Sequence, residues 1–514
     1  MSAQAINTKI VSLVPNNGTE FVVNSGQKVI FDLEPSLGLV KGRDSYLVFD
    51  VCNTSTDNRR VMFNQGAGAE SIIERVDIYS KRTGQHLETM QSYGMWANIT
   101  NQYFFEDKTN LQSLQGCGGK VFSKEVSGGN VVDTINLAGN VNNGILSPVN
   151  NSGEAVYNFR RFTFPLKAGI FRYWDEERLC NVIGLQGLRI EITLNSPAES
   201  CFVMDAERSD GDGSFNLVAD GLPCEDNGGL TSTITTSHAY KVDQCGFSVG
   251  NKVRINNSVG DHDKTITAIA PNGGDATKLD ITFDTQLAAA NTNVIKFNPT
   301  LDTRALKLRP EFRVVTVAPT PQLMSSMSSG FNYEFTSFDH FIDNIPNNAR
   351  KHLIELNSVA SRAVCVTTMF SDVTLTGGQR NSSFYNGQTP ADLNLNEVVY
   401  FLKGRLVPVR PYNPQINNEK IVSLNELMKA LSSLNKEPKD LGNSDGKNAE
   451  KYTNTYMIGR QLARQPYYYD LGNAEGQIRL GFSAGRTNDT LATTFIWSRK
   501  IVSVTADGGV QVVL

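Results

Sequence analysis

The sequence lacks a basic arm. Residues 1–27 carry only two charged side chains, Lys9 and Glu20, whereas a chain that grips nucleic acid directly usually gathers Lys and Arg to neutralise phosphates. The whole chain of 514 residues has a formal net charge of −4. We therefore expect no direct sequence-specific binding of nucleic acid.

Paired cysteines and membrane-spanning runs are also absent. The N-terminus has no basic start followed by an apolar stretch, and no apolar run is long enough to cross a bilayer, so we expect a protein that is made and kept soluble. An odd, dispersed set of cysteines without a C-x-x-C pair predicts free buried thiols. The seven are Cys52, Cys117, Cys180, Cys201, Cys224, Cys245 and Cys365.

Motifs for catalysis or nucleotide binding are incomplete or missing. Gly481–Gly485 fits the G-x-S-x-G nucleophile elbow around Ser483, but residues 486–490 predict a turn instead of the required helix, and no histidine follows His352. The five histidines never fall at metal-ligand spacing, and no glycine-rich phosphate-binding motif occurs. We predict a protein that is not an enzyme, with no catalytic, cofactor-binding or metal-binding residues and no cofactor.

Two clusters are weaker candidates for a site. The tract Tyr467–Tyr469 beside Arg464 could stack a sugar or a base, but aromatic side chains are equally the anchors of protein interfaces, and we favour an interface. An acidic loop could supply oxygen ligands to calcium, but its spacing fits the EF-hand rule only in part, which favours a solvated loop. The acidic residues are Asp205, Glu207, Asp210 and Asp212.

The pattern of half-buried β-strands is abundant. Between Leu188 and Asn195, apolar and polar side chains alternate, which predicts a strand with one face on a core and the other in water. Similar runs occur at Lys28–Leu33 and Tyr46–Cys52. Because 514 residues exceed what one core usually organises, we predict an all-β protein with two lobes, each with its own core.

Shifts in composition place the boundaries between these lobes. Short strand candidates in a Gly-, Asp- and Asn-rich background predict a small inserted β-domain at about 206–305. Residues 319–329, rich in Pro, Ser and Met, predict a linker. We therefore assign 1–320, with the insertion, to the first lobe and 321–514 to the second.

Few helices are predicted. Leu424–Leu434 has apolar residues on one face, and Ser423 with Glu426 fits a capping box at its start. A short helix is predicted at Phe171–Ile183. The chain ends in a predicted hairpin around Asp507–Gly509.

Five segments occur in the order typical of one known family. In the first lobe they are Gly26–Leu33, Lys41–Leu47 and Ile73–Glu88, and in the second Ser361–Ala363 and Arg405–Pro411, before the helix and the closing hairpin. Through these segments the whole chain resembles double jelly-roll major capsid proteins of the adenovirus and polinton-like virus lineage, including polinton-like viruses, adintoviruses and relatives of giant DNA viruses.

The resemblance implies two tandem eight-stranded jelly-roll β-sandwiches, with the small inserted β-domain facing outward and few short helices. It implies a viral major capsid protein whose homotrimers form pseudo-hexameric capsomers that tile an icosahedral shell. The implied partners are neighbouring capsomers, penton and minor capsid proteins, and an internal membrane beneath the shell is compatible with it. The implied location is the virion, after synthesis as a soluble protein inside the host cell.

Two alternatives stay open on the sequence alone, a β-rich glycan-binding protein and a viral spike or fibre protein. A sugar platform needs aromatic side chains in one cleft, whereas Trp96, Trp174 and Trp497 lie far apart along the chain. The capsid interpretation is therefore favoured.

Overall fold

The computed structural model describes residues 8–104, 122–135, 159–372, 393–434 and 456–513. Inside these ranges it leaves out short stretches at 56–58, 64–66, 128–129, 175–178, 204–205, 210–213, 216, 218–219, 227, 243–244, 291–292, 299–303, 323–324, 326–329, 357, 359, 464–466 and 473–475.

The described chain is mostly strand. Strands β1 to β8 are Thr8–Leu13, Phe21–Val22, Lys28–Leu33, Leu39–Val40, Tyr46–Asn53, Val61–Phe63, Ile73–Ser80 and His86–Gln91. Strands β9 to β16 are Phe122–Ser127, Asn130–Ile135, Arg160–Pro165, Cys180–Asn181, Leu188–Leu194, Cys201–Val203, Ala206–Glu207 and Ser214–Phe215. Strands β17 to β24 are Leu222–Cys224, Thr231–Thr235, Lys252–Asn257, Gly260–Pro271, Leu279–Leu287, Asn293–Phe297, Leu306–Val317 and Phe331–Ile345. Strands β25 to β32 are Lys351–Glu355, Ala363–Asp372, Leu395–Leu402, Arg405–Tyr412, Met457–Gln461, Gly476–Phe482, Thr490–Val504 and Val510–Val513.

Helices are few among the residues that the structure describes. They include the α-helices α1 (Tyr93–Phe104), α2 (Pro197–Ser200) and α3 (Asn417–Ser432), and 3-10 turns occur at Pro35–Leu37 and Ala69–Ile72.

The first lobe is a jelly roll. One sheet contains the antiparallel order β1-β23-β5-β11, and the facing sheet has the order β3-β13-β7-β8. These eight strands can be lettered B to I in chain order, as β1, β3, β5, β7, β8, β11, β13 and β23. The two sheet orders are then B-I-D-G and C-H-E-F, the two sheets of a jelly roll. The short strands β2, β4 and β12 extend the first sheet.

The second lobe repeats this connectivity. Its sheets have the orders β24-β31-β26-β29 and β25-β30-β27-β28, which are again B-I-D-G and C-H-E-F, and β32 pairs with the end of β31. The prediction of two tandem eight-stranded jelly rolls is therefore confirmed. The closing hairpin is confirmed as well.

Alternation of side chains explains why these segments pair as they do. On β13, Ile190 is buried and lies opposite Phe31 of β3 and Ile78 of β7 on the core face. On the other face, Arg189 reaches the carboxylate of Asp32 across the strand pair at 2.9 Å. Apolar pairs thus fill the core while charged pairs stay at the solvent face.

Six of the strands between β13 and β23 form a sheet of their own. Its order is β17-β22-β19-β20-β21-β18, and it lies in the H–I connection of the first lobe. Buried apolar side chains between Val203 and Phe297 form a cluster apart from the main core.

The long connections leave the sandwiches at one end. Antiparallel strands alternate in direction, so the B–C, D–E, F–G and H–I connections of a jelly roll lie at one end and C–D, E–F and G–H at the other. The first end carries the inserted sheet and both F–G connections, which contain α1 and α3. The two lobes also touch at the opposite end. There Gly184 of the first lobe lies so close to Phe331 of the second that an added Cβ would meet it, and Gly508 of the second lobe lies equally close to Gln186 of the first.

The expectation of two separate cores needs a correction. The buried apolar side chains of both jelly rolls form one continuous cluster. Among the described strands, none of the first lobe pairs through its backbone with a strand of the second lobe, so packed side chains at their junction join the cores.

The predicted start of α3 was wrong. The helix begins at Asn417, so Ser423 lies inside it and is buried, and the residue before the helix, Ile416, makes no side-chain cap. The apolar stripe from Leu424 marks the buried part of this helix, whereas Ile421 and Val422 before it are exposed, so the residues ahead of Leu424 carry less of the periodic signal.

The predicted helix at Phe171–Ile183 was also wrong. The described residues form turns up to Trp174, and β12 occupies Cys180–Asn181. Arg172 has a φ of 59°, a left-handed conformation that an α-helix does not contain.

Candidate functional site

The two jelly rolls meet along a seam between the F strand of the first lobe and the B strand of the second. Glu88 on β8 is 1% exposed and accepts a hydrogen bond from Ser337 Oγ on β24 at 2.7 Å. It also accepts hydrogen bonds from the backbone N–H groups of Gly169 at 3.0 Å and Ile170 at 2.9 Å, in the G–H connection of the first lobe. One buried carboxylate therefore joins three segments from both lobes.

A second contact holds the same G–H connection. The hydroxyl of Tyr333 on β24 donates to the carbonyl of Ile170 at 2.6 Å. The guanidinium of Arg172 lies 3.9 Å from the centre of the Tyr333 ring and donates to the carbonyl of Glu334. A cation over an aromatic face away from water contributes about 2 kcal/mol, so this contact adds strength as well as orientation.

Aromatic rings fill the seam beside these polar contacts. Trp96 of α1 packs on Trp497 at 4.4 Å, on Phe338 at 4.9 Å and on Trp174 at 5.3 Å between ring centres. Trp174 also meets Trp497 edge-on at 5.4 Å. All three tryptophans of the chain, distant in sequence, thus lie in one cluster and are at most 2% exposed, so they cannot present a sugar platform.

A buried ion pair supports α1 at the seam. Lys167 and Glu70 each have side chains that are 1% exposed, and the ammonium group donates to both carboxylate oxygens. Tyr93 Oη and Asn101 Nδ2 donate to the same carboxylate at 3.3 Å. Extra hydrogen bonds of this kind are what make a buried ion pair tolerable.

Burial sets the charge states at the seam. Exclusion of water raises the pKa of Glu88, against the opposing effect of its hydrogen bonds to Ile170 and Ser337 and of the nearby Lys500. Burial lowers the pKa of His340 to about 4, so this histidine is neutral at pH 7. Its Nδ1 lies 3.4 Å from Gln91 Oε1, across the seam.

The six described cysteines are buried thiols outside any disulfide, as predicted for that part of the chain, and Cys117 lies outside the described residues. Burial raises the pKa of Cys180 and of Cys365 to about 12. These thiols are therefore poor nucleophiles at neutral pH.

The catalytic-looking pentapeptide is a turn between strands. Ser483 follows β30, its Oγ donates to the carbonyl of Asn394 at 3.3 Å, and the chain enters β31 at Thr490. The strand-turn-strand prediction is confirmed.

The tyrosine tract is divided over three environments. Tyr467 is 76% exposed, the ring of Tyr468 lies 4.4 Å from the guanidinium of Arg362, and Tyr469 is buried. Arg464 lies outside the described residues. The three rings do not form one stacking surface.

The acidic loop yields no site in the described part of the chain. Glu207 lies in β15, and Asp205, Asp210 and Asp212 fall outside the described residues. No group of three or more His, Cys, Asp or Glu among the described residues is placed to hold a metal ion. None of the described helices combines the length and the apolar character needed to cross a bilayer.

Large apolar side chains are exposed at several places on the described surface. In the first lobe they lie at the B edge: Ile10, Val14 and Val22. In the second lobe they lie at the B and C strands and on the side of the F strand, α3 and the G–H connection: Ile342, Leu353, Leu406, Ile416, Ile421, Val422 and Tyr467. In the insertion they are Leu230, Val242, Val249 and Val259. Sequence reasoning identified only Tyr467 of these, because periodicity does not tell a core face from an exposed apolar face.

Comparison with known proteins gives structural likenesses alone. No family model and no curated protein sequence matches the chain. Among solved structures, VP54 of PBCV-1 is 11% identical, with a TM-score of 0.49 and coverage of 99% of this chain and 98% of that one.

Two further solved structures are similar along nearly the whole chain. The Faustovirus major capsid protein is 10% identical, with a TM-score of 0.49 and coverage of 97% of this chain and 90% of its own. The mavirus major capsid protein is 10% identical, with a TM-score of 0.39 and coverage of 98% and 90%. The assignment of the fold rests on the strand orders of the two lobes, not on these scores.

Proposed function

We propose that this chain is a viral major capsid protein, a structural subunit whose homotrimers form pseudo-hexameric capsomers of an icosahedral shell. The observation that carries this proposal is the repeated B-I-D-G and C-H-E-F strand order in one chain, with the two jelly rolls fixed side by side by a buried seam. Three copies of a two-lobed unit give six similar lobes, and a ring of six lobes packs into flat facets.

The rigidity of the seam supports a structural role. A subunit in a shell must hold its lobes at a constant angle, and the buried carboxylate of Glu88, the tryptophan cluster and the continuous apolar core all oppose movement between the lobes. The sequence resemblance to double jelly-roll major capsid proteins points the same way. We assign the protein to the virion, with no catalytic role.

The division of the chain is part of the proposal. Residues 1–320 form the first unit with its insertion at about 206–305, and 321–514 form the second. The insertion belongs to the end with the long connections, which we place at the outer surface of the shell. The short-connection end then faces the interior, where minor capsid proteins or a membrane would lie, while penton proteins and other capsomers are lateral partners.

Mass in solution tests the proposal. The purified protein should have the mass of a trimer, three times 56.4 kDa or about 169 kDa, by size-exclusion chromatography with light scattering. Negative-stain images should show hexagonal particles. A stable monomer that binds immobilised glycans would refute the proposal and favour the glycan-binding alternative.

A further inference from the structure

The buried ion pair that supports α1 brings an amine, a carboxylate and an amide into contact. Lys167, Glu70 and Asn101 are all at most 4% exposed. The ammonium group of Lys167 donates to both carboxylate oxygens of Glu70, and Nδ2 of Asn101 donates to one of the same two oxygens, Oε2, at 3.3 Å. One carboxylate therefore holds the amine of Lys167 beside the side-chain amide of Asn101.

Three separate segments bring these groups together. Glu70 lies in the 3-10 turn Ala69–Ile72, Asn101 lies in α1, and Lys167 follows the end of β11 by two residues. Tyr93 of α1 fixes the arrangement, because its hydroxyl donates to Glu70 Oε1 at 3.3 Å and accepts from the backbone N–H of Lys167 at 3.0 Å. Burial raises the pKa of Tyr93 well above its ordinary value of 10, so this hydroxyl stays protonated and keeps donating.

From this geometry we infer that Lys167 and Asn101 become joined by an isopeptide bond, with Glu70 as the group that transfers the protons. In a site without water, a proton that passes from the ammonium group to the carboxylate replaces two buried charges by two neutral groups. The neutral amine of Lys167 is a nucleophile. Its fixed position beside the amide removes the entropy cost of bringing the two reactants together.

The atoms and charges of this step balance without any other reactant. The lone pair on Nζ of Lys167 forms a bond to Cγ of Asn101, and the bond from Cγ to Nδ2 breaks with its electrons on the departing nitrogen. Of the three protons on the ammonium group, one stays on the new amide. Glu70 passes the other two to the departing nitrogen, which leaves as ammonium ion, so Glu70 acts as general base and then as general acid and ends as a carboxylate.

The bond adds a covalent tie beside the seam. It joins α1, which carries Trp96, to the start of the G–H connection, which binds Glu88 through the backbone of Gly169 and Ile170. A covalent loop between residues 101 and 167 also restricts the unfolded chain in the way that a disulfide does. The reaction happens once in each chain and involves no turnover, so the inference goes beyond the proposed function and does not depend on it.

A second group of the same three kinds lies at the surface and provides an internal comparison. Lys81 Nζ lies 3.8 Å from Asp32 Oδ2, and Nδ2 of Asn16 donates to the same oxygen at 2.9 Å. The side chains of Lys81 and Asp32 are 29% and 18% exposed. A hydrogen bond from Arg189 holds the pKa of Asp32 below its ordinary value, which keeps the carboxylate ionised and makes it a poor proton donor. We expect no bond between Lys81 and Asn16.

Intact mass measures the bond directly. Mass spectrometry of the wild-type protein, folded first and then denatured for the measurement, should give a mass below that of its sequence by one ammonia molecule, about 17 Da. Glu70→Gln, Asn101→Ala and Lys167→Arg should each have the full mass of their own sequence. Lys167→Arg keeps a cation beside Glu70, but its guanidinium stays protonated and does not attack the amide. The matched control Lys81→Arg should keep the loss of ammonia.

A tryptic digest of the wild-type chain locates the bond. Trypsin does not cleave after a lysine whose amine is acylated, so residues 83–108 and 162–172 should appear as one linked peptide, whose fragmentation places the bond at Asn101. Separate peptides 83–108 and 162–167, or a wild-type mass equal to that of its sequence, would overturn the inference.

Loss of ammonia that persists in Lys167→Arg would overturn it as well, because the ammonia would then come from another amide. The digest uses the wild-type chain, so it decides the question even if a variant misfolds. Neither measurement depends on the oligomeric state, so failure of this inference leaves the proposed function standing.

Discussion

Truncation of Trp96 should weaken the junction between the lobes more than any other single change at the seam. The side chain is fully buried and packs against Trp174, Phe338 and Trp497. Replacing a buried Trp by Ala costs about 3 to 5 kcal/mol, from lost apolar burial and the cavity left behind. This corresponds to a change in the unfolding equilibrium constant of roughly 100-fold to several thousand-fold.

The chain carries its own reporter for this experiment. All three tryptophans lie in the seam, so emission excited at 295 nm follows the junction, whereas far-ultraviolet circular dichroism follows the strands of both lobes. In urea, the wild type should show coincident transitions, because the cores are continuous. In Trp96→Ala the emission transition should move to lower urea and precede the loss of strand signal.

A matched control is Leu230→Ala, at a site that is 74% exposed, where a change within about 0.5 kcal/mol is expected. If Trp96→Ala lowers the free energy of unfolding by less than about 1 kcal/mol, or if its two transitions still coincide, the seam does not couple the lobes as described.

Three more predictions concern buried charge and close packing. The folded-state pKa of Glu88 is raised above its ordinary value of 4.5, so wild-type stability should fall as the pH rises from about 4.5 through that raised pKa. Thermal melts of Glu88→Gln across the same pH range should lack this fall. If the stability of both proteins changes equally with pH, Glu88 is not the group responsible. Glu70→Gln leaves Lys167 as an unpaired buried cation, so it should lower the free energy of unfolding in urea by about 3 to 5 kcal/mol. A decrease of less than about 1 kcal/mol would contradict this prediction. A Cβ at position 42 would lie 1.8 Å from the carbonyl oxygen of Phe171, so Gly42→Ala should lower the free energy of unfolding by about 3 kcal/mol or more. Its control is Gly273→Ala, where the added Cβ meets open space and the free energy of unfolding should change by no more than about 0.5 kcal/mol.

Local pattern explains which parts of the fold could be predicted. Strands such as β13 were recognised because alternation has a period of two residues and needs no knowledge of the partner strand. The start of α3 was missed because its first turns lack the buried stripe, and Phe171–Ile183 was misread because a left-handed residue at Arg172 leaves no mark on composition.

The candidate site could not be predicted in the same way. Glu88 and Ser337 are 249 residues apart in the chain, and neither position has a sequence signal for its partner. The tryptophans looked unrelated because their proximity depends on how the two lobes pack. The exposed side chains Ile10 and Ile421 have the same character as core residues, so only their measured exposure marks them as interface candidates.

The sequence by itself determined the all-β class, the two lobes and several strands, among them β3, β5 and β13, since each follows from residues within a few positions of one another. Tertiary structure alone decided the angle and contacts between the lobes, the charge environment of Glu88, the union of the two cores and the choice of which apolar faces stay uncovered. The physical reason is that burial depends on every segment that packs around a side chain, and at the seam those segments come from distant parts of the chain.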